Sequence, residues 1–414
     1  MLPSFFYPTI SLLALPIVTA RAQQHPINSQ NAPSYRGSLV SLHRSLVEIE
    51  SLTGNEYTVG NFLAEYLSNR GYQTQLNSLP PTDKTKPGET RSDLLAWRGS
   101  DFSHSKVVVT SHIDTVPPYI PYGISDEIPT SETVITGRGS VDAKASVAAQ
   151  IIAVEELMAA GSLDTDDVAL LYVVGEESTG DGMRAFSDML GNMDPEPQIQ
   201  AAIFGEPTEN KLACGHKGHV GCVVTAKGKA GHSGYPWLGK SANEIMIKAL
   251  AKLFGTDLGS SPLFGHTTVN VGIMDGGVAS NVIPESALAD LTIRVAIGPQ
   301  ESGADTVVER LRMVLKSIDS EAFDTQCFNG YGVIECECNV EGFETEIMNY
   351  GTDIPNFKAN AKRYLYGPGT ILVAHSDHEA IKLADLEESV EGYKKLVMHA
   401  LETVATAGGG DADL

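Results

Sequence analysis

The chain alternates short apolar runs with longer stretches of helical periodicity, and this alternation limits the folds that are open to it. The runs have the length and the β-branched content of strands, and turn residues bound them. They are Leu94–Trp97, Val107–Ser111, Val168–Val174 and Ala201–Phe204, with helical stretches such as Ala145–Ala160 between them. Alternating strands and helices predict an α/β domain whose mostly parallel sheet is flanked by helices. In such a sheet, the loops at the carboxyl ends of the strands carry the ligands.

The order of elements changes in the second half of the chain. The predicted elements there are the strand Val220–Ala226, the helix Ala242–Leu253, the strands Thr267–Ile273 and Ala287–Val295, the helix Ala304–Ile318 and the strand Val333–Asn339. This βαββαβ order predicts a split βαβ sandwich that is inserted as a separate unit. The tail, with Tyr364–His375 and the helix Ala384–Ala400, returns to the first domain. We therefore expect one domain in two pieces (23–217 and 341–414) and an inserted domain (218–340).

The first residues predict export from the cytosol. Met1–Ala22 contains an apolar stretch, Ile10–Val18, followed by the small-x-small pattern Ala20-Arg21-Ala22 of a signal-peptide cleavage site. No Lys or Arg precedes the apolar stretch, so a short anchor is the alternative, but the run is shorter than the ~20 residues that span a bilayer. We expect a signal peptide at 1–22, no membrane span, and a secreted, extracellular protein, with the vacuole or another lytic compartment as the alternative.

Charge and cysteine content exclude two classes of function. Asp and Glu number 52 against 29 Lys and Arg, and the net charge of -23 disfavours a nucleic-acid partner because it would repel polyphosphate. The cysteines are Cys214, Cys222, Cys327, Cys336 and Cys338. Their number is odd, so at least one is free or paired between chains. No Cys-x-x-Cys pair occurs, so a thiolate zinc site is disfavoured. Since the first and last strands of a split βαβ sandwich are usually neighbours, Cys222 could meet Cys336 or Cys338.

Acidic residues and histidines follow the predicted strands directly. His112 and Asp114 end one strand and point the same way, so Asp114 can hold the imidazole in the tautomer that presents its other nitrogen to a metal. A strand-end His bonded to an Asp is also common without any metal. Asp142 lies in a Gly-rich turn before a long helix, where its two oxygens could bridge two cations or where it could cap the helix.

Two adjacent carboxylates are the most telling part of the pattern. Glu176 and Glu177 follow a buried strand, where they are costly unless a positive charge compensates them. One could bind a metal while the other faces the water between the metals. Glu206 ends the next strand, and His375 follows the apolar run Ile371–Ala374 directly, which favours it over His378. Two imidazoles and three carboxylates suit Zn²⁺ with an open coordination position.

The motifs resemble those of the di-zinc exopeptidase family that includes acetylornithine deacetylase, succinyl-diaminopimelate desuccinylase, aminoacylase and glutamate carboxypeptidase. The matching segments are Ser-His112-Ile-Asp114, Gly-Arg-Gly-Ser-Val-Asp142-Ala-Lys, Gly-Glu176-Glu177, Gly-Glu206-Pro-Thr, Gly231-His232-Ser-Gly, Ser280-Asn281-Val-Ile-Pro, and Gly367-Pro-Gly369-Thr with His375. The resemblance implies two zinc ions per chain, with Asp142 bridging, His112 and Glu206 on one ion, and Glu177 and His375 on the other. It also implies that Glu176 is the general base and that the Asp142-Ala143 peptide is cis. Glu206 stands where many members have Asp, which resembles the peptidase branches.

The resemblance implies that 23–217 with 341–414 is the catalytic zinc domain and that 218–340 is an inserted lid or dimerisation domain, and it assigns further roles to residues of both. The lid resembles a domain that commonly forms a homodimer, and His232 resembles the histidine that reaches an active site, often the partner's, to stabilise an oxyanion. Asn281 and Arg294 resemble the groups that hold the substrate's terminal carboxylate, and Gly367 and Gly369 resemble its backbone cradle. A loop histidine is more often merely exposed, and a Gly-rich turn is also just a turn.

These observations predict a secreted zinc-dependent carboxypeptidase that hydrolyses the amide bond next to a free terminal carboxylate. The expected mechanism is attack by a water that bridges two zinc ions roughly 3.5–4 Å apart, with Glu176 as the general base. The nearest alternative is a deacylase of N-acyl amino acids, which would use the same machinery. A metal-binding module that has lost catalysis is the third hypothesis, and the pair of adjacent glutamates argues against it.

Overall fold

The computed structural model of this protein describes residues 32–408. The expected signal peptide therefore lies outside the described residues. Within 32–408, none of the helices combines the length and the apolar character needed to cross a membrane. The α-helices are α1 (Arg36–Glu48), α2 (Tyr57–Ser68), α3 (Lys144–Ala159), α4 (Asp181–Gly191), α5 (Ala242–Phe254), α6 (Gly303–Ile318) and α7 (Leu383–Gly408). Short 3₁₀ turns occur at Phe102–His104, Pro236–Leu238 and Ile354–Asn356.

The strands form one large sheet, one medium sheet and three small ones. They are β1 (Gln73–Ser78), β2 (Ser92–Trp97), β3 (Val107–His112), β4 (Gly123–Ile124), β5 (Val134–Thr136), β6 (Val168–Val173), β7 (Ala201–Gly205), β8 (Leu212–His216), β9 (Gly218–Lys227), β10 (Gly231–His232), β11 (Ser260–Ser261), β12 (Gly265–His266), β13 (Thr268–Gly276), β14 (Val282–Ile283), β15 (Ser286–Val295), β16 (Phe323–Tyr331), β17 (Ile334–Glu335), β18 (Thr345–Met348), β19 (Lys362–Tyr366) and β20 (Ala380–Lys382).

The large sheet has the order β1-β2-β6-β3-β7-β19-β8-β17, and β18 also pairs with β8. Its central neighbours β6, β3, β7 and β19 are parallel, whereas β1 and β2 are antiparallel at one edge. β3 and β6 are buried along their whole length because helices cover both faces, which explains their continuous apolar runs. The parallel centre brings the carboxyl ends of β3, β6 and β7 to one edge of the sheet.

Helix α3 shows how the sequence adapts to a buried position. It is rich in Ala, Val and Ile, and its residues from Lys144 to Val154 are all buried, as is Leu157. A helix that is apolar all round fits only where other elements surround it. It packs in one core with α1, α2, α7 and one face of the large sheet, while α4 belongs to a second core on other side chains of the same strands.

The inserted unit has the predicted βαββαβ order of long elements. Its antiparallel sheet has the order β13-β15-β9-β16, and α5 and α6 pack against it in a core of their own. β15 alternates buried and less buried residues, as expected for a sheet with helices on one face only. Strand β13 lies at the edge of this sheet and is mostly exposed.

The predicted last strand of this unit is wrong. The segment Val333–Asn339 does not join the lid sheet: only Ile334–Glu335 is a strand, and it pairs with β8 in the large sheet. The strand that pairs with β9 in its place is β16. It is polar and half-exposed, so its sequence predicts a strand less clearly than the apolar run that follows it.

The disulfides follow from this difference. Cys222 on β9 is bonded to Cys327 on β16, which lies directly opposite, and Cys214 is bonded to Cys338. The expected partners of Cys222, Cys336 or Cys338, were therefore wrong, because the strand assigned to them lies in the other sheet. Cys336 is the cysteine without a disulfide.

Candidate metal centre

The residues predicted to bind metal lie together at the carboxyl edge of the large sheet. His112 is the last residue of β3, Glu177 follows β6 after three intervening residues, and Glu206 follows β7 directly. Asp142 lies in the turn before α3, and His375 lies in the loop between β19 and β20. Parallel strands end at the same edge, so residues that are far apart in the sequence meet there.

Asp142 lies between the two imidazoles. Its Oδ1 is 3.1 Å from His112 Nε2, and its Oδ2 is 3.3 Å from His375 Nε2. His375 Nε2 is also 3.0 Å from Glu177 Oε2, and His112 Nε2 is 3.9 Å from Glu206 Oε2. Each oxygen of Asp142 thus faces one imidazole, and each imidazole has a second carboxylate beside it. This arrangement suits a carboxylate shared by two cations.

Two details of the surrounding loops agree with the family resemblance. The peptide between Asp142 and Ala143 is cis, as the resemblance implies. The tail brings His375 to the centre, whereas His378 bonds Asp377 at the surface, with 72% of its side chain exposed. The structure thus brings His375, and not His378, beside Asp142 and Glu177.

Asp114 connects His112 to the loop with the adjacent glutamates. His112 Nδ1 donates to the backbone carbonyl of Asp114 at 3.0 Å, while the Asp114 carboxylate is 3.6 Å away. Because a carbonyl only accepts, Nε2 is left to present its lone pair to a metal. The carboxylate itself accepts from Thr53 Oγ1 at 2.8 Å and from the backbone N–H groups of Glu176 and Glu177 at 3.2 and 3.3 Å.

The electrostatics of the centre call for a positive charge. Burial, together with nearby Glu206, raises the pKa of Glu176 well above its usual range. Burial and Asp142 raise the pKa of Glu177 to about 7. Glu177 Oε1 is buried and has no hydrogen-bond partner among the described residues. Ligand atoms of His112, Glu176 and Glu206, and those of His112, Asp142 and Glu177, lie within 4.8 Å of one another. The residues therefore fit metal ions, and their N and O donors suit zinc.

The free energy of unfolding of the metal-free protein should fall as the pH rises from 5 to 7, and bound zinc should remove this dependence. In the metal-free protein, Glu177 titrates near pH 7 when folded, against 4.5 as its ordinary value. Between these values the folded state holds a proton that the unfolded chain has released, so raising the pH destabilises the fold. Zinc would supply the missing positive charge. We expect the gain in melting temperature on adding zinc to be larger at pH 7 than at pH 5, measured by calorimetry. An equal gain at both pH values would contradict this. Glu177→Gln removes the titrating carboxyl, so the stability of the metal-free variant should change less between pH 5 and pH 7.

A cavity of about 590 Å³ connects the centre to the lid. Arg294 of β15, His219 of β9 and Tyr331 of β16 line it, and the strand register places them side by side across three neighbouring strands. The backbone at Gly351 comes so close that a side chain there would lie 2.5 Å from Tyr331 Oη and 3.6 Å from Arg294 Nη1. The lid thus presents a polar row, with one guanidinium, to the metal centre.

The sequence did not single out several residues that line this cavity. They are Arg184, His219, Tyr331, Tyr350 and Asp353. Arg184 lies in the first turn of α4, and its Nε donates to the carbonyl of Gly180. Burial raises the pKa of the Asp353 carboxyl to about 6. None of the five belongs to an acidic motif at a strand end, so no local signal marked them.

Six predicted residues do not line this cavity: His112 and Asp114 are buried beside its carboxylates, and the other four lie elsewhere. His232 and Asn281 lie on or beside the short β10–β14 ladder at the surface of the lid, where Ser233 donates its N–H to the Asn281 carbonyl. Gly367 packs against the backbone of Glu206, and Gly369, with φ +76°, packs against Val141. The two glycines support the walls of the centre from behind.

The chain is similar to known peptidases in both sequence and structure. The family model described as a peptidase dimerisation domain matches residues 214–322. The chain is 54% identical over 394 residues to a peptidase M20 domain-containing protein of Sordaria macrospora, covering 90% of this chain and 87% of that one. It is 42% identical over 381 residues to a probable carboxypeptidase of Aspergillus terreus, covering 87% and 86%. The solved structure of a tripeptidase from Staphylococcus aureus superposes with a TM-score of 0.71 at 21% identity, covering 88% and 99%.

Proposed function

This chain belongs to the M20 peptidase family of metallopeptidases, and from that premise we propose that it is a secreted, zinc-dependent carboxypeptidase. The observation that carries the proposal is that one cavity contains both the metal-binding carboxylates and Arg294. A guanidinium binds a carboxylate through two parallel hydrogen bonds, which suits a free C-terminus. The name of the relative from Aspergillus terreus, a probable carboxypeptidase, supports the same activity.

We assign two zinc ions to the carboxylate and imidazole cluster. Asp142 would be a ligand of both ions, with His112 and Glu206 as further ligands of one ion and Glu177 and His375 of the other. When bound, zinc lowers the pKa of a coordinated water to about 7 and polarises a carbonyl. The cluster suits this role because Asp142 offers one oxygen to each side. The remaining chemistry falls to side chains of this protein.

Glu176 is the proposed general base. Its side chain lines the cavity beside the ligands, and the N–H of Glu176 donates to Asp114, which fixes its loop. In the metal-free protein, burial raises the pKa of this carboxyl, which makes its carboxylate form a stronger proton acceptor, so it is suited to take a proton from the attacking water and to return it to the leaving amine. Glu177, the neighbour, faces His375 at 3.0 Å and is the ligand.

The lid row of Arg294, His219 and Tyr331 is the proposed site for the substrate's terminal carboxylate. Arg294 forms no ion pair within the part of the chain that the structure describes. Burial and Arg294 lower the pKa of His219, which favours the neutral ring, and a neutral imidazole can donate one hydrogen bond. A peptide whose C-terminal carboxylate meets Arg294 would extend its last amide bond toward Glu176.

The alternative function is the deacylation of N-acyl amino acids, which also carry a free carboxylate. Both activities use the same amide hydrolysis, so the acyl side of the substrate separates them. Incubation with matched substrates, a dipeptide with a free N-terminus, an N-blocked dipeptide and an N-acetyl amino acid, should be followed by mass spectrometry. Release of the last residue from peptides, with slow cleavage of the acetyl compound, is expected. A reversed preference would establish the deacylase.

Arg294→Gln tests the carboxylate site. We expect kcat/KM for a peptide with a free C-terminus to fall by about 10–10²-fold, because an ionic hydrogen-bonded pair contributes on the order of 1.5–3 kcal/mol. Cleavage of the corresponding C-terminal amide should be slow in both proteins and should change little. Arg184→Gln is the matched control, since this guanidinium lines the same cavity from the catalytic domain. An equal loss in both variants would contradict a specific role for Arg294.

Secretion and dimerisation are further parts of the proposal. Two disulfides, Cys214–Cys338 and Cys222–Cys327, support an oxidising compartment. The match of residues 214–322 to a dimerisation domain supports a homodimer through the lid, in which His232 and Asn281 would reach the partner's cavity. Finding the protein only inside cells would contradict secretion. A solution mass of one chain at working concentration would contradict the dimer.

A further inference from the structure

A buried ion pair lies behind the metal centre, and the mechanism proposed above makes no use of it. Arg138 and Glu379 are each 2% exposed, and Arg138 Nη1 donates to Glu379 Oε2 at 2.6 Å. The two residues lie 241 positions apart. They join the Gly-rich turn before α3 to the loop between β19 and β20. Charges this deeply buried persist where further hydrogen bonds satisfy both partners.

The Glu379 carboxylate holds the turn that carries Asp142. Its Oε1 accepts the backbone N–H of Val141 at 2.9 Å and that of Asp142 at 3.1 Å. The backbone carbonyl of Glu379 accepts the N–H of Gly137 at 3.3 Å and the hydroxyl of Ser140 at 3.4 Å. Both ends of the turn are therefore hydrogen-bonded to Glu379. The contact with the Asp142 N–H fixes the peptide from which the shared carboxylate extends.

The Arg138 guanidinium holds the loop that carries His375. Its Nη2 donates to the His375 carbonyl at 3.4 Å, and its Nε donates to the Pro118 carbonyl at 3.2 Å. His375 has φ +62°, a left-handed conformation that costs energy for a residue with a side chain. Such a conformation persists only where the surroundings hold it. Arg138 supplies one of these restraints.

We propose that Arg138 and Glu379 are positioning residues of the metal centre. They keep Asp142 and His375, which come from separate segments, at the spacing that lets both serve one pair of ions. Neither residue is assigned as a ligand, because their charged groups satisfy each other and the backbone. This inference rests on the metal centre of the proposed function and not on the identity of the substrate. The competing explanation is an ordinary buried ion pair that stabilises the fold alone.

Glu379→Gln separates the two explanations. The amide keeps the shape of the side chain, but it cannot pair with Arg138 and also accept two N–H groups as a carboxylate does. Supporting groups behind metal ligands typically contribute 10–100-fold to affinity. We expect zinc to bind 10–100-fold more weakly to the metal-free variant, measured by competition with a coloured chelator. Binding of two zinc ions with the affinity of the original protein would overturn the proposal.

Glu387→Gln is the matched control. Glu387 is fully buried and pairs with Arg36 between α7 and α1, away from both metal-bearing loops. Its loss should lower the melting temperature without weakening zinc binding. If Glu387→Gln weakened zinc binding as much as Glu379→Gln, the effect would be one of general stability, and the proposal would be overturned.

Arg138→Lys keeps the test decisive if Glu379→Gln does not fold. Lysine preserves the buried charge pair, but its single ammonium group cannot reach Glu379, Pro118 and His375 together as the planar guanidinium does. We expect one of the two zinc affinities to fall by about 10-fold, because only the His375 loop is released. Unchanged affinities at both sites would overturn the proposal, and equal weakening of both would overturn the part assigned to His375.

The zinc measurements contain no peptide, so they fail independently of the carboxypeptidase assays. Weaker zinc binding in the variants, with no peptide cleavage by the original protein, would reject the proposed function and retain the positioning role. Peptide cleavage by the original protein, with unchanged zinc affinities in the variants, would retain the proposed function and reject the positioning role.

Discussion

Glu176→Gln is expected to lower kcat by about 10²–10⁴-fold, the usual contribution of a positioned general base, while both zinc ions stay bound. Glutamine has the same size and can still accept a hydrogen bond, but it cannot take up the proton of the attacking water. Because Glu176 is not assigned as a ligand, the metal content should not change. The measurement is steady-state hydrolysis of a dipeptide with zinc counted per chain in the same sample.

Glu177→Gln is the control for this substitution. The two residues are neighbours in the chain, and both donate their backbone N–H groups to Asp114, so either change disturbs the loop to a similar extent. Glu177 faces His375, however, and its substitution should release zinc. Normal turnover of the Glu176 variant with two zinc ions bound would remove Glu176 from the role of base. Loss of zinc from both variants would show that both are ligands.

The large sheet was accessible from the sequence because its strands are buried on both faces. β3 and β6 are nearly uninterrupted apolar runs, and the residues that carry the chemistry lie at the end of β3 and in the loop just after β6. The lid was predicted in order but not in its last strand. β16 is polar and half exposed, so its local pattern is weak, and the apolar residues after it attracted the assignment. Only pairing with β9, a contact distant in the sequence, decides between the two.

The residues of the site also differ in how well the sequence predicts that they come together. His112, Glu177 and Glu206 could be predicted together because parallel strands bring their carboxyl ends to one edge. That argument covers residues at strand ends and nothing else. Asp142 and His375 belong to loops whose approach depends on turns and on buried contacts such as Arg138 with Glu379, 241 positions apart. For His375 in particular, the family resemblance supplied what spacing could not.

Cavity residues contributed by the lid were the least accessible. His219 and Tyr331 are unremarkable in the sequence, and they become neighbours of Arg294 only through the register of three antiparallel strands. Their approach to Glu176 further requires the whole lid to be placed against the large sheet. No local pattern encodes that placement. His232 and Asn281 show the converse case, in which a recognisable motif lies away from the cavity of its own chain.

Asp142→Asn should have the largest effect on the metal centre. Asp142 presents one oxygen to His112 and the other to His375. Asparagine keeps one oxygen and replaces the other with an NH₂ group, which donates and cannot bind a cation. We therefore expect one zinc ion per chain in place of two after dialysis. The loss of activity should exceed the 10–100-fold that is typical when a group merely supporting a ligand is changed.

Asp377→Asn is the matched control for this change. Asp377 lies two residues from His375, but 97% of its side chain is exposed. Its carboxylate pairs with His378 at the surface. The same chemical substitution there should leave the zinc content and the activity unchanged. Metal analysis and peptide hydrolysis on the same samples would decide the matter. Two tightly bound zinc ions in the Asp142 variant, with normal turnover, would mean that no carboxylate bridge is needed and that the two metal positions are held independently.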